Sequence, residues 1–136
     1  MTLPSRIEYE TLIYSLPGRY AAEIVVSTLR LYSTSALTAR VEGVILFANG
    51  LELRVKEFLD YRLGRILDYS YTIYRGDEKI GWYDPQPHPE LPVLAATFPH
   101  HRHEPPDIKH NRQPAPGVSF TSPNLFVLIT DCLRLG

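Results

Sequence analysis

All five histidines of the chain fall within one short stretch, from His88 to His110. Three of them occur in the run Phe98-Pro99-His100-His101-Arg102-His103. Histidine changes charge near neutral pH and serves as a general acid, a general base or a metal ligand. The stretch is also rich in proline, which presents side chains from a stiff, non-helical backbone. We therefore predict that the chemistry of this protein lies here.

On an extended backbone, residues two positions apart point to the same side. His101 and His103 therefore share one side, and His100 and Arg102 share the other. A metal-independent ribonuclease needs such a pair, because one group removes the 2′-OH proton while another protonates the leaving 5′-oxygen. We predict His101 and His103 as general acid and base. The alternative is that some of these histidines cap loops or hydrogen-bond to backbone carbonyls.

Other side chains complete this hypothesis. Asp84 could orient a histidine through its ring N–H, or it could hold the Asp-Pro corner as an Asx turn. Arginines could stabilise charge on the phosphate, and aromatic residues could stack on bases or form cross-strand pairs in the core. The predicted catalytic residues are His101, His103, His100, Asp84 and Tyr83, and the predicted substrate-binding residues are Arg75, Arg102, His88, Tyr71 and Trp82.

A metal site is a different use of the same histidines. His-x-His on a strand places two nitrogens on one face, and Asp84 or His88 could complete a set of ligands. The sequence has no His-Glu-x-x-His motif and no cysteine pair. We therefore predict neither a metal nor another cofactor. A metal-dependent nuclease or hydrolase stays open as an alternative, as does a non-enzymatic protein-binding module.

The composition restricts the class of protein. A formal net charge of −1 disfavours a globally basic protein that coats nucleic acid by charge alone. No apolar run approaches the roughly 20 residues of a membrane span, and the first residues lack the pattern of a signal peptide. The single cysteine, Cys132, suits a reducing compartment. We predict a cytoplasmic protein with no membrane partner, in which Cys132 is a buried small hydrophobe.

Hydrophobic periodicity predicts a helix at each end of the chain. Ser5 and Glu8 form a capping box ahead of an apolar face with helical spacing, and Pro17-Gly18 should end this helix. Ser122-Pro123 should open the second helix, as N-cap and first helical residue. The apolar face of that helix is predicted to comprise Leu125, Leu128, Ile129, Cys132 and Leu133.

Between the helices, strands are predicted at 24–31, 41–48, 51–57, 65–75 and 79–84. Asn49-Gly50 should be a two-residue hairpin turn with positive φ at both positions. Leu51, Leu53 and Val55 should share one face, until the phase slips at Glu57-Phe58 through a bulge or the end of the strand. On the next strand, the shared face should comprise Leu67, Tyr69, Tyr71 and Ile73.

These elements predict an α+β fold, an antiparallel β-meander of about five strands flanked by N-terminal and C-terminal helices. We predict a single domain over residues 1–136. Regular periodicity is lost from Pro85 to Pro116, where nine of the twelve prolines lie. Within this part, a proline-rich loop at 104–117 is predicted to be mobile.

Three blocks of the sequence resemble a known family. They are the strand that begins Tyr69-Ser70-Tyr71, the loop Trp82-Tyr83-Asp84 with Pro87-His88-Pro89, and the segment Thr97-Phe98-Pro99-His100-His101-Arg102-His103. The pattern is similar to that of TumE-type proteins, the proposed toxins of bacterial and archaeal toxin–antitoxin modules. The family loop usually has two adjacent histidines where this chain has Pro87-His88, so the first of them is missing here.

The resemblance implies a cytosolic toxin neutralised by a cognate antitoxin encoded nearby, but it does not assign an active site. Together with the histidine run, it predicts a toxin that acts on RNA by metal-independent phosphodiester cleavage. RNA and a second copy of the chain are the further partners that we consider.

Overall fold

The computed structural model describes residues 2–136, so Met1 of the predicted domain lies outside the described residues. A helix precedes and a helix follows a set of strands, and the α+β class is confirmed. Residues 2–136 form eight strands, more than the predicted five. In chain order the elements are α1 (Arg6–Arg19), β1 (Ile24–Ser27), β2 (Arg30–Ser33), β3 (Thr38–Phe47), β4 (Leu51–Asp60), β5 (Arg65–Arg75), β6 (Glu78–Asp84), a 3-10 helix (Pro92–Thr97), β7 (His101–His103), β8 (Arg112–Pro114) and α2 (Leu125–Leu135).

The strands of residues 2–136 form one antiparallel sheet in the order β1-β3-β4-β5-β6-β7-β8, and β2 also pairs with β3. β1 and β2 replace the single strand predicted at 24–31, and they lie one after the other along β3. Where the chain passes between them, Gly43 has a φ of 149°, and a Cβ atom on it would lie 2.6 Å from the Thr28 carbonyl oxygen. Glycine is needed there because two backbones approach so closely.

β7 and β8 are the other two strands that the sequence did not predict. Each has three residues, and both fall within the stretch from Pro85 to Pro116 that was predicted to be irregular. They extend the sheet beyond β6, because β7 pairs with β6 and β8 pairs with β7. The segment 104–117, predicted as a mobile loop, thus contributes a strand; its mobility stays a prediction.

The hairpin between β3 and β4 differs from the predicted turn. Ala48, Asn49 and Gly50 form a three-residue loop, in which the Gly50 N–H donates to the Phe47 carbonyl at 3.0 Å. Gly50 has a φ of 88°, but Asn49 does not have a positive φ. The Asn49 side chain accepts from the Leu51 N–H and donates to the Cys132 carbonyl. These two bonds fix Asn49 outside the left-handed region and tie the hairpin to α2.

β4 keeps its phase to its end, contrary to the predicted slip at Glu57-Phe58. Leu51, Leu53 and Val55 are buried as predicted, and Glu57 continues the same buried face. The irregularity lies on β5 instead, where Leu67 is an extra residue beside the Phe58–Leu59 step. This bulge leaves Leu67 37% exposed and buries Ile66 in its place.

Both helices begin or end at residues other than those predicted. The capping box of Ser5 and Glu8 is present, but α1 continues through Pro17 to Arg19, because the Tyr20 N–H donates to the Leu16 carbonyl and completes a last turn. α2 begins at Leu125, after Asn124, and not at Ser122-Pro123. Of its predicted apolar face, Leu133 is exposed; the buried members are Leu125, Leu128, Ile129 and Cys132.

The two helices lie on the same face of the sheet, which we call the inner face. Tyr9 of α1 donates its hydroxyl to Glu57 of β4 at 2.6 Å, and Asn124, at the start of α2, donates to the Tyr71 hydroxyl of β5 at 3.0 Å. The opposite side is the outer face. Among residues 2–136, neither helix is long and apolar enough to cross a membrane.

Candidate functional site

The histidine run forms a strand at the edge of β6. In the antiparallel register, His101 lies opposite Asp84 and His103 lies opposite Trp82. Residues that are directly opposite in such a pair project from the same side of the sheet. Tyr83 and Arg102 alternate with them and project to the inner face, toward α2. The two histidines and Asp84 therefore meet on the outer face, away from both helices.

Three side chains converge there, and we call Asp84, His101 and His103 the Asp84 cluster. His101 Nε2 lies 3.2 Å from Asp84 Oδ1, and His103 Nε2 lies 3.0 Å from Asp84 Oδ2. The two Nε2 atoms are 3.1 Å apart. His101 is 1% exposed, His103 is 2% exposed and Asp84 is 9% exposed. The negative charge of a carboxylate in the protein interior must be balanced by protons or by a cation.

The other ring nitrogens are held by backbone carbonyls. His101 Nδ1 lies 3.2 Å from the Pro99 oxygen, and His103 Nδ1 lies 3.1 Å from the Lys109 oxygen. A carbonyl oxygen can only accept, so Nδ1 is the protonated nitrogen of each ring. In the neutral state, both Nε2 atoms then direct a lone pair at Asp84 and at each other.

Burial lowers the pKa of His101 below its ordinary value, and positive charge on His103 or His88 lowers it further. The Pro99 carbonyl and the Asp84 carboxylate act in the opposite direction but do not outweigh burial. The charged form of a histidine is disfavoured when water is removed from around it. His101 is therefore neutral at pH 7, with Nε2 free to accept a proton or to bind a cation.

Aromatic side chains wall the Asp84 cluster. The Trp82 ring stacks on His103 with centroids 4.4 Å apart, and Lys79 Nζ lies 5.0 Å from the centroid of that same indole ring. His88 stands edge-on to His101 at 5.0 Å, and its Nδ1 lies 3.2 Å from Glu90. Trp82 and Asp84 also border a groove of about 480 Å³ on the surface. The groove thus reaches the cluster at Asp84, whereas His101 and His103 do not line it.

Three predicted residues face away from this site. Tyr83 donates its hydroxyl to Asp131 of α2 at 2.6 Å, and Arg102 pairs with Glu104 and lies 4.0 Å from Asp131. Arg75 donates to the Leu135 carbonyl at 2.9 Å. Arg102 and Arg75 therefore lie on the inner face and near the end of α2. The structure does not place them beside the Asp84 cluster.

His100 and Tyr71 also belong to other surroundings. His100 Nδ1 lies 2.5 Å from the Tyr69 hydroxyl, and the ring packs against Phe120 with centroids 4.5 Å apart. Burial lowers the pKa of His100, and charge on His101 lowers it further. Tyr71 is fully buried on the inner face, where it donates to Glu57. A base cannot stack on it there.

Both rings make the hydrogen bonds to backbone carbonyls that the sequence offered as the alternative for these histidines, but the sequence did not identify which carbonyls accept. The Pro99 oxygen belongs to the predicted histidine segment, but the Lys109 oxygen comes from the loop that was predicted to be mobile. No residue type signals a carbonyl contact, because every residue has one. Cys132 is buried, and burial raises the pKa of its thiol to about 12. A thiolate nucleophile is therefore disfavoured, as expected.

Two imidazoles and a carboxylate are a common set of metal ligands. Within residues 2–136, Asp84, His101 and His103 are the three side chains whose ligand atoms lie close enough together to hold one ion. The same group can also work as a base backed by a carboxylate. The cluster is thus suited to proton transfer or to metal chemistry.

Comparison with protein families places the chain in a known family. The family model described as "Toxin TumE" matches residues 16–135, nearly the whole chain. No curated protein matches the chain, and no solved structure does. The matched residues include every member of the Asp84 cluster and its walls.

Proposed function

We propose that this chain, which belongs to the TumE toxin family, is the toxin component of a toxin–antitoxin module and cleaves RNA at the Asp84 cluster. The observation that supports this proposal is the convergence of two histidine Nε2 atoms and one carboxylate within 3.2 Å. RNA carries its own nucleophile, the 2′-hydroxyl, so a site that activates this group can cleave the chain.

The spacing within the cluster restricts how it can act. In phosphoryl transfer the attacking and leaving oxygens lie roughly in line on opposite sides of phosphorus. Two Nε2 atoms 3.1 Å apart reach the same oxygen, and a phosphate group does not fit between them. The proposal therefore differs from the sequence-based hypothesis, because His101 and His103 act together on one oxygen and not as an acid and a base on two.

The Asp84 cluster can act on that oxygen in two ways. His101 can accept the proton of the 2′-hydroxyl as that oxygen bonds to phosphorus, with Asp84 stabilising the imidazolium that forms. The bond from phosphorus to the 5′-oxygen breaks in the same step, and the 5′-oxygen takes a proton from water. Alternatively, the cluster can hold a cation that binds the oxygen. Because Arg75 and Arg102 lie elsewhere in the structure, they are not part of the proposed site. Trp82 and the groove beside Asp84 are the proposed contact surface for the nucleotide.

A toxin of this kind requires a cognate antitoxin, and we propose that the partner is encoded next to this gene. The proposed place of action is the cytoplasm, which contains the RNA that the toxin would cleave. A second copy of the chain as a partner stays a prediction.

The test is inducible expression in a bacterial host, with growth and total RNA followed after induction. We expect growth arrest with RNA fragmentation, relief by the co-expressed neighbouring gene, and loss of both effects in His101→Ala. His110→Ala is the matched control, because its side chain is 64% exposed and pairs with Asp107, away from the Asp84 cluster. Full toxicity of soluble His101→Ala would contradict the proposed site, and a harmless wild-type protein would contradict the toxin assignment.

A further inference from the structure

The Asp84 cluster has a feature that proton transfer alone does not require. Both Nδ1 atoms are committed to carbonyl oxygens, so both Nε2 atoms and a carboxylate point into one small volume. Acceptor atoms this close to one another repel unless a proton or a cation lies among them. The backbone of two separate segments, at Pro99 and at Lys109, holds this arrangement in place.

The distances fit a metal ion. Zinc bonds of about 2.0–2.1 Å in tetrahedral geometry separate neighbouring ligand atoms by roughly 3.3–3.4 Å. The corresponding separations in the Asp84 cluster are 3.1 Å between the two Nε2 atoms, 3.2 Å from His101 Nε2 to Asp84 Oδ1 and 3.0 Å from His103 Nε2 to Asp84 Oδ2. Because the two histidines face different oxygens of one carboxylate, an ion would lie between both Nε2 atoms and the edge of that carboxylate. One ligand atom from each of the three residues lies within 4.8 Å of the other two.

The surroundings have the form of a metal site. Histidines that ligate a metal usually donate the other ring N–H to a carbonyl or carboxylate, which fixes the ring and the tautomer. His101 and His103 both do so. Trp82 packs on His103 and His88 packs on His101, while the groove borders the cluster at Asp84. Three protein ligands with one open position are typical of a catalytic site.

We propose that Asp84, His101 and His103 bind one divalent transition-metal ion, with zinc the best fit. Two imidazoles favour zinc and its neighbours in the first row over magnesium and calcium, which prefer oxygen ligands. Such an ion would act as a Lewis acid on a phosphate oxygen in the groove. The proposal rests on the geometry of the ligands, and it holds or fails independently of RNA cleavage.

The test is metal binding by untagged protein that has been stripped with a chelator. We expect calorimetric titration with ZnCl₂ to show one saturable site, and Co²⁺ to give visible d–d absorption of a four- or five-coordinate ion. Asp84→Asn and His103→Ala should each weaken zinc binding by more than about 100-fold, since removal of even an outer partner costs 10–100-fold. His110→Ala, the exposed control, should bind zinc as the wild type does.

Circular dichroism and the melting temperature establish that each variant is folded before it is titrated. Asp84→Asn is the safest variant, because an amide oxygen keeps the bond from the Gln86 N–H. A stripped wild-type protein without saturable zinc binding would overturn the proposal, as would unchanged binding in Asp84→Asn and His103→Ala. Binding of Mg²⁺ with no response to zinc would also overturn it. If the titration shows zinc binding but RNA cleavage persists in EDTA, the metal site is supported and the metal is not needed for cleavage.

Discussion

Glu57 and Asp84 are buried carboxylates on opposite faces of the same sheet, and their partners are of opposite kinds. Glu57 is 1% exposed, and both of its oxygens accept hydrogen bonds from tyrosine hydroxyls. The donors are Tyr9 at 2.6 Å and Tyr71 at 2.5 Å. Asn124 donates to the Tyr71 hydroxyl and continues the chain of donors. We call these four residues the Glu57 network. Its members satisfy one another, so it needs no further ligand.

Asp84 instead faces ring nitrogens that have no proton to give it in the neutral state. In that state its oxygens and the two Nε2 atoms are all acceptors. Asp84 Oδ1 does receive one hydrogen bond, from the Gln86 N–H. We propose this difference as a way to tell a structural carboxylate from a functional one. Neutral donors around a carboxylate stabilise the fold, whereas acceptors around it prepare a place for a proton or a cation.

The largest effect should appear in activity. Asp84→Asn removes the charge of the Asp84 cluster and should lower the rate of RNA cleavage by about 10²–10⁴-fold, the usual cost of losing an acid–base group. Tyr9→Phe removes one hydroxyl from the Glu57 network and should leave the rate per folded molecule unchanged. Cleavage rates of the two purified variants make the measurement. Equal losses in both would break the distinction between the two carboxylates.

In stability, we expect Tyr9→Phe to have a larger effect than Asp84→Asn. Tyr9→Phe leaves one oxygen of a fully buried Glu57 without its donor, so we expect a loss of about 1–3 kcal/mol in the free energy of unfolding. Urea denaturation at neutral pH measures it. Thr11→Ala, on an exposed part of the same helix, is a control for changes in helix propensity. A Tyr9→Phe protein as stable as the wild type would mean that the Glu57 network does not support the fold.

The Glu57 network should also make stability depend on pH. Burial raises the pKa of Glu57 above 4.5, and the tyrosine hydroxyls only partly offset this. The folded protein therefore holds a proton that the unfolded chain has released, and stability falls as pH rises from about 4.5 toward the raised pKa. The slope from one proton is at most about 1.4 kcal/mol per pH unit. Melting temperatures of wild type and Glu57→Gln across this range should diverge, with the variant lacking the slope.

The smallest effect should be the change in stability that Asp84→Asn causes in the absence of metal. It tests most directly whether the two carboxylates differ. The new amide can donate to the His103 Nε2 lone pair, while its oxygen keeps the Gln86 N–H. We expect the metal-free variant to be as stable as the wild type or more stable by up to about 1 kcal/mol. Thermal unfolding in EDTA measures this. A clear loss of stability would show that the wild-type cluster is already satisfied by protons.

The sequence was informative where a periodic pattern controls the structure. The alternation of Leu51, Leu53 and Val55 predicted the buried face of β4, and His-x-His predicted that His101 and His103 share a side. The pattern failed at Glu57, because a charged residue continues the buried face there. The burial of Glu57 is explained by its tyrosine partners, which are distant in the sequence. A polar residue at a core position was interpreted as a break in the strand.

The features that the sequence did not predict depend on tertiary contacts. β7 and β8 are too short for any period to show, and they form because β6 offers an edge to pair with. The bulge at Leu67 shifts the face of β5 by one residue without a glycine or proline to mark it. Arg102 and Tyr83 were placed in the site for their chemistry, although strand alternation directs both of them to α2.

A strand as short as β7 has consequences for the mutations that the chain can tolerate. Its outer residues, His101 and His103, belong to the Asp84 cluster, while Arg102 between them contacts the helix side at Asp131. Side-chain directions alternate with every residue, so a single insertion or deletion before His101 would exchange the two faces. It would place Arg102 in the pocket and a histidine against α2. We expect substitutions in the flanking loops to be accepted far more readily than any change in their length.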